Sequence, residues 1–406
     1  KVLIKKFSMY SLLKIEQRNK VLKKMAVLLK QESAVLLLAN QTDLKSFDEN
    51  DLAMYDRLKV DHDKIEGMIA SLNQMAVQED PVGRELFHFT HENGLQIFNR
   101  TAAFGTVMII YESRPDVTVE AAGIAFKSGN KILLKGGKEA YWSNQTIVDL
   151  WHRALKENEI ATDWVCYLNF NREETQRFLK YPDQKIDLII PRGGEKLIEF
   201  VKQHASCPVI VSGRGNNFVY VHKEADQKKA LSVIINAKVS KISACNALDK
   251  VLIDDRLPDK EHFIKALISS LVENRVSVMV DKGLSAYPNT SLLENEEIWS
   301  EEFLDYKILL GMVSGPEHAM KMINKYGGGH SAAVITENDA VAGVFMDGVD
   351  AAAVYRNAST RFTDGFQFGL GGELAISTDK LHQRGPIGLT HLVTNKWYVY
   401  GEGQIR

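Results

Sequence analysis

A chain of 406 residues with 45% hydrophobic content can bury more than one core, so two or three domains are expected. Its 50 Lys and Arg stand against 52 Asp and Glu, a formal charge of -2 without basic blocks, which argues against a nucleic-acid or membrane-surface binder and for a small-molecule ligand. Cys166, Cys207 and Cys245 are an odd number at wide spacings, which argues against a disulfide framework or a cysteine metal site and fits a reducing cytoplasm. No apolar run approaches membrane-spanning length, and the basic start KVLIKKFSMY has neither a long apolar core nor a small-residue cleavage site.

From Tyr10 to Leu44 apolar residues recur at helical spacing among Lys, Glu and Gln, which predicts amphipathic helices. A second helix is predicted from Asp61 to Met75, with acidic residues in its first turn. The runs ELFHFTH and LQIFNR flank Asn93-Gly94, a turn pair that tolerates positive φ, so residues 85–103 read as a hairpin arm. Phe87, Phe89 and Phe98 on such an arm need a partner surface.

From Phe104 onward TVMIIY, KILLK, WVCYL, DLIIP, PVIVS and FVYVH alternate with helical segments, the signature of βαβ units and a parallel sheet. The turns Lys135-Gly136-Gly137-Lys138 and Arg192-Gly193-Gly194 stand at strand ends, where such a sheet meets its ligand. Neither is a GxGxxG fingerprint. After the segment that holds Cys245 the alternation resumes with KVLID, VSVMV, ILLGMV and AAVIT, a second α/β core. The turn YGGGHS offers His330 as a substrate contact or as a satisfied turn histidine. The polar, glycine-spaced run Asn357 to Thr378 suits a ligand loop, and WYVYGEGQIR alternates like an edge strand that pairs with the hairpin or with another subunit.

The stretch SKISACNALDKVLI places Cys245 between polar residues and an apolar run. Read as a helix N-terminus with Lys241 nearby, it favours a thiolate and makes Cys245 a candidate nucleophile; the competing reading is a small buried hydrophobe.

Taken together, the blocks YESRPDVTVEAAGIAFKSGNKILLKGGKEA, DLIIPRGGEKLI, INAKVSKISACNALDKVLI, EEFLDY and NASTRFTDGFQFGLGGELAISTDKLHQRGPIGL resemble the γ-glutamyl phosphate reductases (glutamate-5-semialdehyde dehydrogenases) of the aldehyde dehydrogenase superfamily, in order and spacing, over nearly the whole chain. The resemblance implies an α/β fold with a Rossmann-type NADP-binding domain, an α/β catalytic domain and a small β oligomerisation arm. Its expected boundaries are residues 1–234 for the cofactor domain, 235–360 for the catalytic domain and 361–406 for the return to the cofactor domain and an oligomerisation strand. It also implies reduction of γ-glutamyl phosphate by NADPH to glutamate-5-semialdehyde and phosphate, in proline synthesis. The preceding kinase would be a separate cytoplasmic protein, a glutamate 5-kinase, and this chain a homo-oligomer.

In that reading Cys245 is the nucleophile, because a thioester accepts hydride well. Lys135 and Lys138 receive the 2′-phosphate of NADP, a preference tempered by Glu139; Glu302 holds the nicotinamide ribose; and Gly193 and Gly194 lie beside the cofactor phosphates. Arg114, Arg361 and Arg384, with His330, are candidates for the substrate's anionic groups. The amide of the oxyanion hole stays unassigned. One block departs from the family pattern: Ser212 to Val221 reads SGRGNNFVYV, with Asn216, Asn217 and Phe218 in place of an apolar residue, a Cys and a His, and Gln367 replaces a common Glu. Hydrolytic superfamily members carry a Glu where Ser212 stands. The alternatives are therefore a hydrolytic aldehyde dehydrogenase, which needs that base, and a scaffold homologue without catalysis.

Overall fold

The structure, a computed structural model, describes residues 13–47 and 52–406. The start KVLIKKFSMY and the residues Tyr10 to Leu12 of the first predicted helix lie outside the described residues. The chain divides into two compact units, one of Lys1–Val211, Gly369–Ala375 and Ile387–Arg406, the other of Ser212–Phe368 and Ile376–Pro386. The first boundary falls at Val211/Ser212 rather than at residue 234, because the strand after it pairs with strands of the second unit. The last segment also splits, with 361–368 and 376–386 in the second unit.

Among its described residues the first unit opens with the helices α1 (Ile15–Gln31), α2 (Ser33–Lys45), α3 (Leu52–Leu58) and α4 (His62–Val77). Asp61 caps α4, its side chain accepting from the Lys64 N–H at 2.9 Å. The hairpin follows as β1 (Glu85–Thr90) and β2 (Gln96–Ala103). Its loop spans five residues instead of forming a tight two-residue turn: Gly94 alone takes a left-handed φ, +90°, and the His91 N–H closes onto the Leu95 carbonyl at 2.9 Å.

Next come β3 (Thr106–Tyr111), α5 (Pro115–Lys127), β4 (Lys131–Lys135), α6 (Tyr141–Lys156), β5 (Val165–Tyr167), α7 (Arg172–Lys180), β6 (Leu188–Arg192) and α8 (Glu195–His204). The strands form a parallel sheet in the order β5-β4-β3-β6. PVIVS adds only an isolated bridge between Val209 and Ile189. Both sheet faces are covered, as the unbroken apolar runs require: Val107, Ile109 and Tyr111 join the core with Trp151, while Met108 and Ile110 pack with Phe178 and Leu179.

The strand Val393–Tyr400 lies antiparallel along the whole of β2, so it pairs with the hairpin of its own chain and forms one edge of the arm. The resulting three-stranded arm leaves Leu86, Phe87, Phe89, Trp397, Val399 and Tyr400 exposed.

The second unit is built from β7 (Asn217–Val221), α9 (Gln227–Val239), β8 (Leu248–Asp254), α10 (Lys260–Glu273), β9 (Ser277–Val280), β10 (Thr290–Leu292), β11 (Lys307–Val313), α11 (Pro316–Tyr326), β12 (Ser331–Ile335), α12 (Asp339–Gly348) and β13 (Ala353–Arg356). All seven strands are parallel, in the order β10-β9-β11-β8-β7-β12-β13. Alternate residues of β7 serve opposite faces, Val219 and Val221 on one side and Phe218 and Tyr220 on the other. Gly215, Cys245, Glu302 and His330 each lie in a segment that enters one of these parallel strands. All four therefore belong to the same, amino end of the sheet.

Candidate active site

Cys245 is exposed on a turn between the end of α9 and the start of β8. It follows a helix C-terminus, so the expected helix N-terminus at the thiol is absent, and α9 contributes the negative end of its dipole here. The positive charge comes from Arg361. Burial pulls this guanidinium below its usual pKa, and the negative charge of a Cys245 thiolate and of Asp364 works in the opposite direction.

The backbone beneath the thiol is pinned from β7. The Asn217 side-chain N–H2 donates to the carbonyls of Gly215 at 2.6 Å, Cys245 at 2.7 Å and Ala247 at 2.7 Å. Gly215 approaches so closely that a Cβ at this position would overlap the Cys245 carbonyl. On the other side Asn246 donates to the carbonyls of Arg361 at 3.1 Å and Thr363 at 2.9 Å, while the Thr360 hydroxyl donates to the Asn246 carbonyl at 2.8 Å. Arg361 itself donates from Nε to Ser240 Oγ at 3.0 Å. Thiol loop, β7 entrance and Arg361 turn are thus one hydrogen-bonded body.

Glu302 belongs to the same body. Its Oε1 accepts from the Gly215 N–H at 3.0 Å, and Asn216 ties the Trp299 and Tyr326 carbonyls together at 2.7 Å each. The two asparagines that depart from the family pattern therefore hold the carbonyls behind Cys245 and before Glu302. Asn217 and Gly215 were not picked out as site residues in the sequence; the only signal was that departure.

His330 is buried. Its Nδ1 lies 2.8 Å from Ser331 Oγ, which lies 2.7 Å from Thr363 Oγ1, and burial lowers its pKa to about 4, so the ring is neutral near pH 7. Through Thr363, whose carbonyl accepts from Asn246, this chain of hydrogen bonds reaches the thiol loop. Arg384 is engaged by Asp350, with Nη1 to Oδ1 at 2.5 Å and Nη2 to its carbonyl at 3.1 Å. Ser212 forms an isolated bridge to Ser377.

In the first unit the candidate residues gather at the carboxyl ends of β3, β4 and β6. Ser113 is buried with a φ of +38°, a strained value for a non-glycine residue, and Glu139 accepts both its N–H, at 2.9 Å, and its hydroxyl, at 2.6 Å. The carboxylate expected to oppose a phosphate is thereby engaged, and the charges left at the turn are Lys135 and Lys138. Lys135 donates to the Gly136 carbonyl at 2.7 Å, its pKa lowered by burial and raised in part by Glu139. Arg114 pairs with Asp116 at 2.9 Å. Gly194 caps α8, and its N–H donates to Glu112 Oε2 at 2.9 Å; a Cβ on Gly193 would run into the same carboxylate.

Burial raises the pKa of Cys166, and it pushes Cys207 up to about 11, so both stay protonated near neutrality.

The profile of the aldehyde dehydrogenase family matches residues 4–291. The gamma-glutamyl phosphate reductase of Clostridium botulinum is 41% identical over 392 residues, 96% of this chain and 94% of that protein. Its counterpart in Nautilia profundicola is 41% identical over 395 residues, covering 96% and 95%. Among solved structures, the gamma-glutamyl phosphate reductase of Thermotoga maritima superposes with a TM-score of 0.92 at 38% identity, over 99% of this chain and 97% of that one. An acetylating aldehyde dehydrogenase from Geobacillus thermoglucosidasius, at 16% identity and a TM-score of 0.72 over 98% and 94%, shares the fold. The chain belongs to the aldehyde dehydrogenase family, among its gamma-glutamyl phosphate reductases.

Proposed function

We propose that this chain reduces L-glutamyl 5-phosphate to L-glutamate 5-semialdehyde and phosphate, with NADPH as reductant and Cys245 as nucleophile. The observation that carries the reading is an exposed thiol on a pinned loop, coupled electrostatically to Arg361, whose backbone turn Asn246 holds and whose guanidinium donates to Ser240. The Cys245 sulfur attacks the acyl carbonyl, the C–S bond forms, and the C–O bond to phosphate breaks. A guanidinium beside a thiolate stabilises the charged nucleophile, and Arg361 takes that role. NADPH, when bound, supplies the hydride that converts the thioester carbonyl to the aldehyde. Release of the aldehyde returns the sulfur to Arg361 as a thiolate.

The donor set of the first unit fits a phosphorylated dinucleotide. With Glu139 committed to Ser113, the turn after β4 offers Lys135 and Lys138 to an anion, and these would hold the 2′-phosphate. Gly193 and Gly194 would lie beside the pyrophosphate and Glu302 would bind the nicotinamide ribose. Arg114 and His330 are the remaining candidates for the substrate's polar groups, with Arg114 released from Asp116 to accept a carboxylate. The arm of β1, β2 and the last strand is the surface through which copies associate, since its aromatic face is too large to leave in water. The reaction takes its acyl phosphate from a glutamate 5-kinase in the cytoplasm.

Three outcomes follow. In the reverse direction, steady oxidation of glutamate-5-semialdehyde by NADP requires phosphate or arsenate, because Ser212 offers no base to activate water near neutral pH. Steady formation of free glutamate without either, measured in phosphate-free buffer, would assign the chain to the hydrolytic alternative. Lys135→Glu raises KM for NADPH by about tenfold or more, with a far smaller change for NADH; equal losses in steady-state kinetics would make the lysine structural. In light scattering at micromolar concentration the chain is a dimer or larger, and Phe87→Asp with Trp397→Asp shifts it toward monomer. A monomeric parent chain would refute the role of the arm.

A further inference from the structure

Three buried charges lie under the segment that carries Glu302, and the reaction described above uses none of them. Lys250, on β8, is fully buried; its Nζ donates to the Glu301 carbonyl at 2.7 Å and sits 3.6 Å from the centroid of the Phe303 ring. Asp249, beside it, divides its carboxylate. Oδ1 pairs with Lys238 Nζ at 3.0 Å, and Oδ2 accepts from the Phe303 N–H at 3.0 Å. Lys238 lies on α9, the helix that leads into the thiol loop, so the Lys238–Asp249 pair also closes that loop at its base. The residues before and after Glu302 are therefore each fixed by a buried charge, and Leu304 turns the chain away with a φ of +46°. Two buried cations against one buried anion are costly to keep in a core.

We propose that Lys250 is a positioning residue for Glu302, holding its backbone from below through Glu301 and Phe303 so that the carboxylate meets the cofactor ribose in a fixed orientation. The proposal rests on the reading of Glu302 as the ribose-binding residue. Burial lowers the pKa of Lys250 to about 7, which agrees with an ammonium held mainly by a carbonyl and a ring face rather than by a carboxylate of its own.

The test is NADPH binding, followed by nucleotide fluorescence, in the parent chain, Lys250→Met, Glu302→Ala and the double variant. Lys250→Met keeps the volume and removes the donors; it is expected to weaken NADPH about tenfold. The rate of Cys245 alkylation by iodoacetamide stays at the parent value, which a generally loosened site would not allow. The double variant binds no worse than Glu302→Ala alone, because Lys250 acts through Glu302. Losses that add in the double variant, or parent-like binding by Lys250→Met when Glu302→Ala is weakened, overturn the positioning role and leave the reading of Glu302 intact. Parent-like binding by Glu302→Ala overturns that reading and the proposal with it. Should Lys250→Met fail to fold, Lys250→Gln, which retains a shorter donor, replaces it in the same cycle with a smaller loss expected, and additivity there is equally decisive.

Discussion

A loop that presents a reactive side chain to solvent still has to satisfy the backbone beneath it. At Cys245 that requirement falls on one amide. Asn217 has two N–H bonds and three carbonyls within reach, from Gly215, Cys245 and Ala247, so its donors are fully used and its orientation is fixed. Without it the carbonyls would be left unpaired in a buried setting, at about 1–3 kcal/mol each. The same geometry explains Gly215, since any side chain there would enter the space of the Cys245 carbonyl. From this clamp the rest follows: the Gly215 N–H orients Glu302, and Asn246, on the far side of the thiol, fixes the turn that carries Arg361.

The charge arrangement is a consequence of where the loop sits. Because Cys245 follows the carbonyl end of α9, the helix opposes a thiolate, and an outside cation has to supply what the dipole does not. Arg361 is in place because hydrogen bonds of residues 115 positions away hold its turn, not because it is near in sequence. In the first unit a comparable economy operates. Glu139 is consumed in stabilising the strained Ser113, which leaves the end of β4 cationic.

Much of the fold was legible because the strands are buried on both faces and read as unbroken apolar runs. Strand β10 was missed for lack of length, and α12 for the two glycines in DAVAGVFMDG, although Asn338 caps it with a 3.0 Å bond to the Val341 N–H. PVIVS has strand composition and yet pairs only at two isolated bridges, Val209 with Ile189 and Ser212 with Ser377. The boundary at residue 234 failed because FVYVH continues the alternation of the first unit, while its partners, β8 and β12, come later in the chain. Within the site, Cys245 stood out by its motif and lies exposed on a turn, but the helix N-terminus assigned to it was not there. Asn246 has the composition of a cap; its amide is spent instead on the carbonyls of Arg361 and Thr363. Asn216 and Asn217 stood out as departures from the family pattern, and only the structure supplies their partners. Lys250 and the Lys238–Asp249 pair left no pattern at all, since a buried charge in a strand is indistinguishable from a solvated one until its neighbours are known.

The central claim is that the acyl group passes through Cys245. Intact-protein and peptide mass spectrometry after mixing the enzyme with freshly generated L-glutamyl 5-phosphate, without NADPH, addresses it directly. A hydroxylamine-labile glutamyl adduct on Cys245, absent from Cys245→Ser and discharged on adding NADPH, is the expected result. An unmodified Cys245, or an adduct on Cys166 or Cys207 that NADPH discharges, would contradict it.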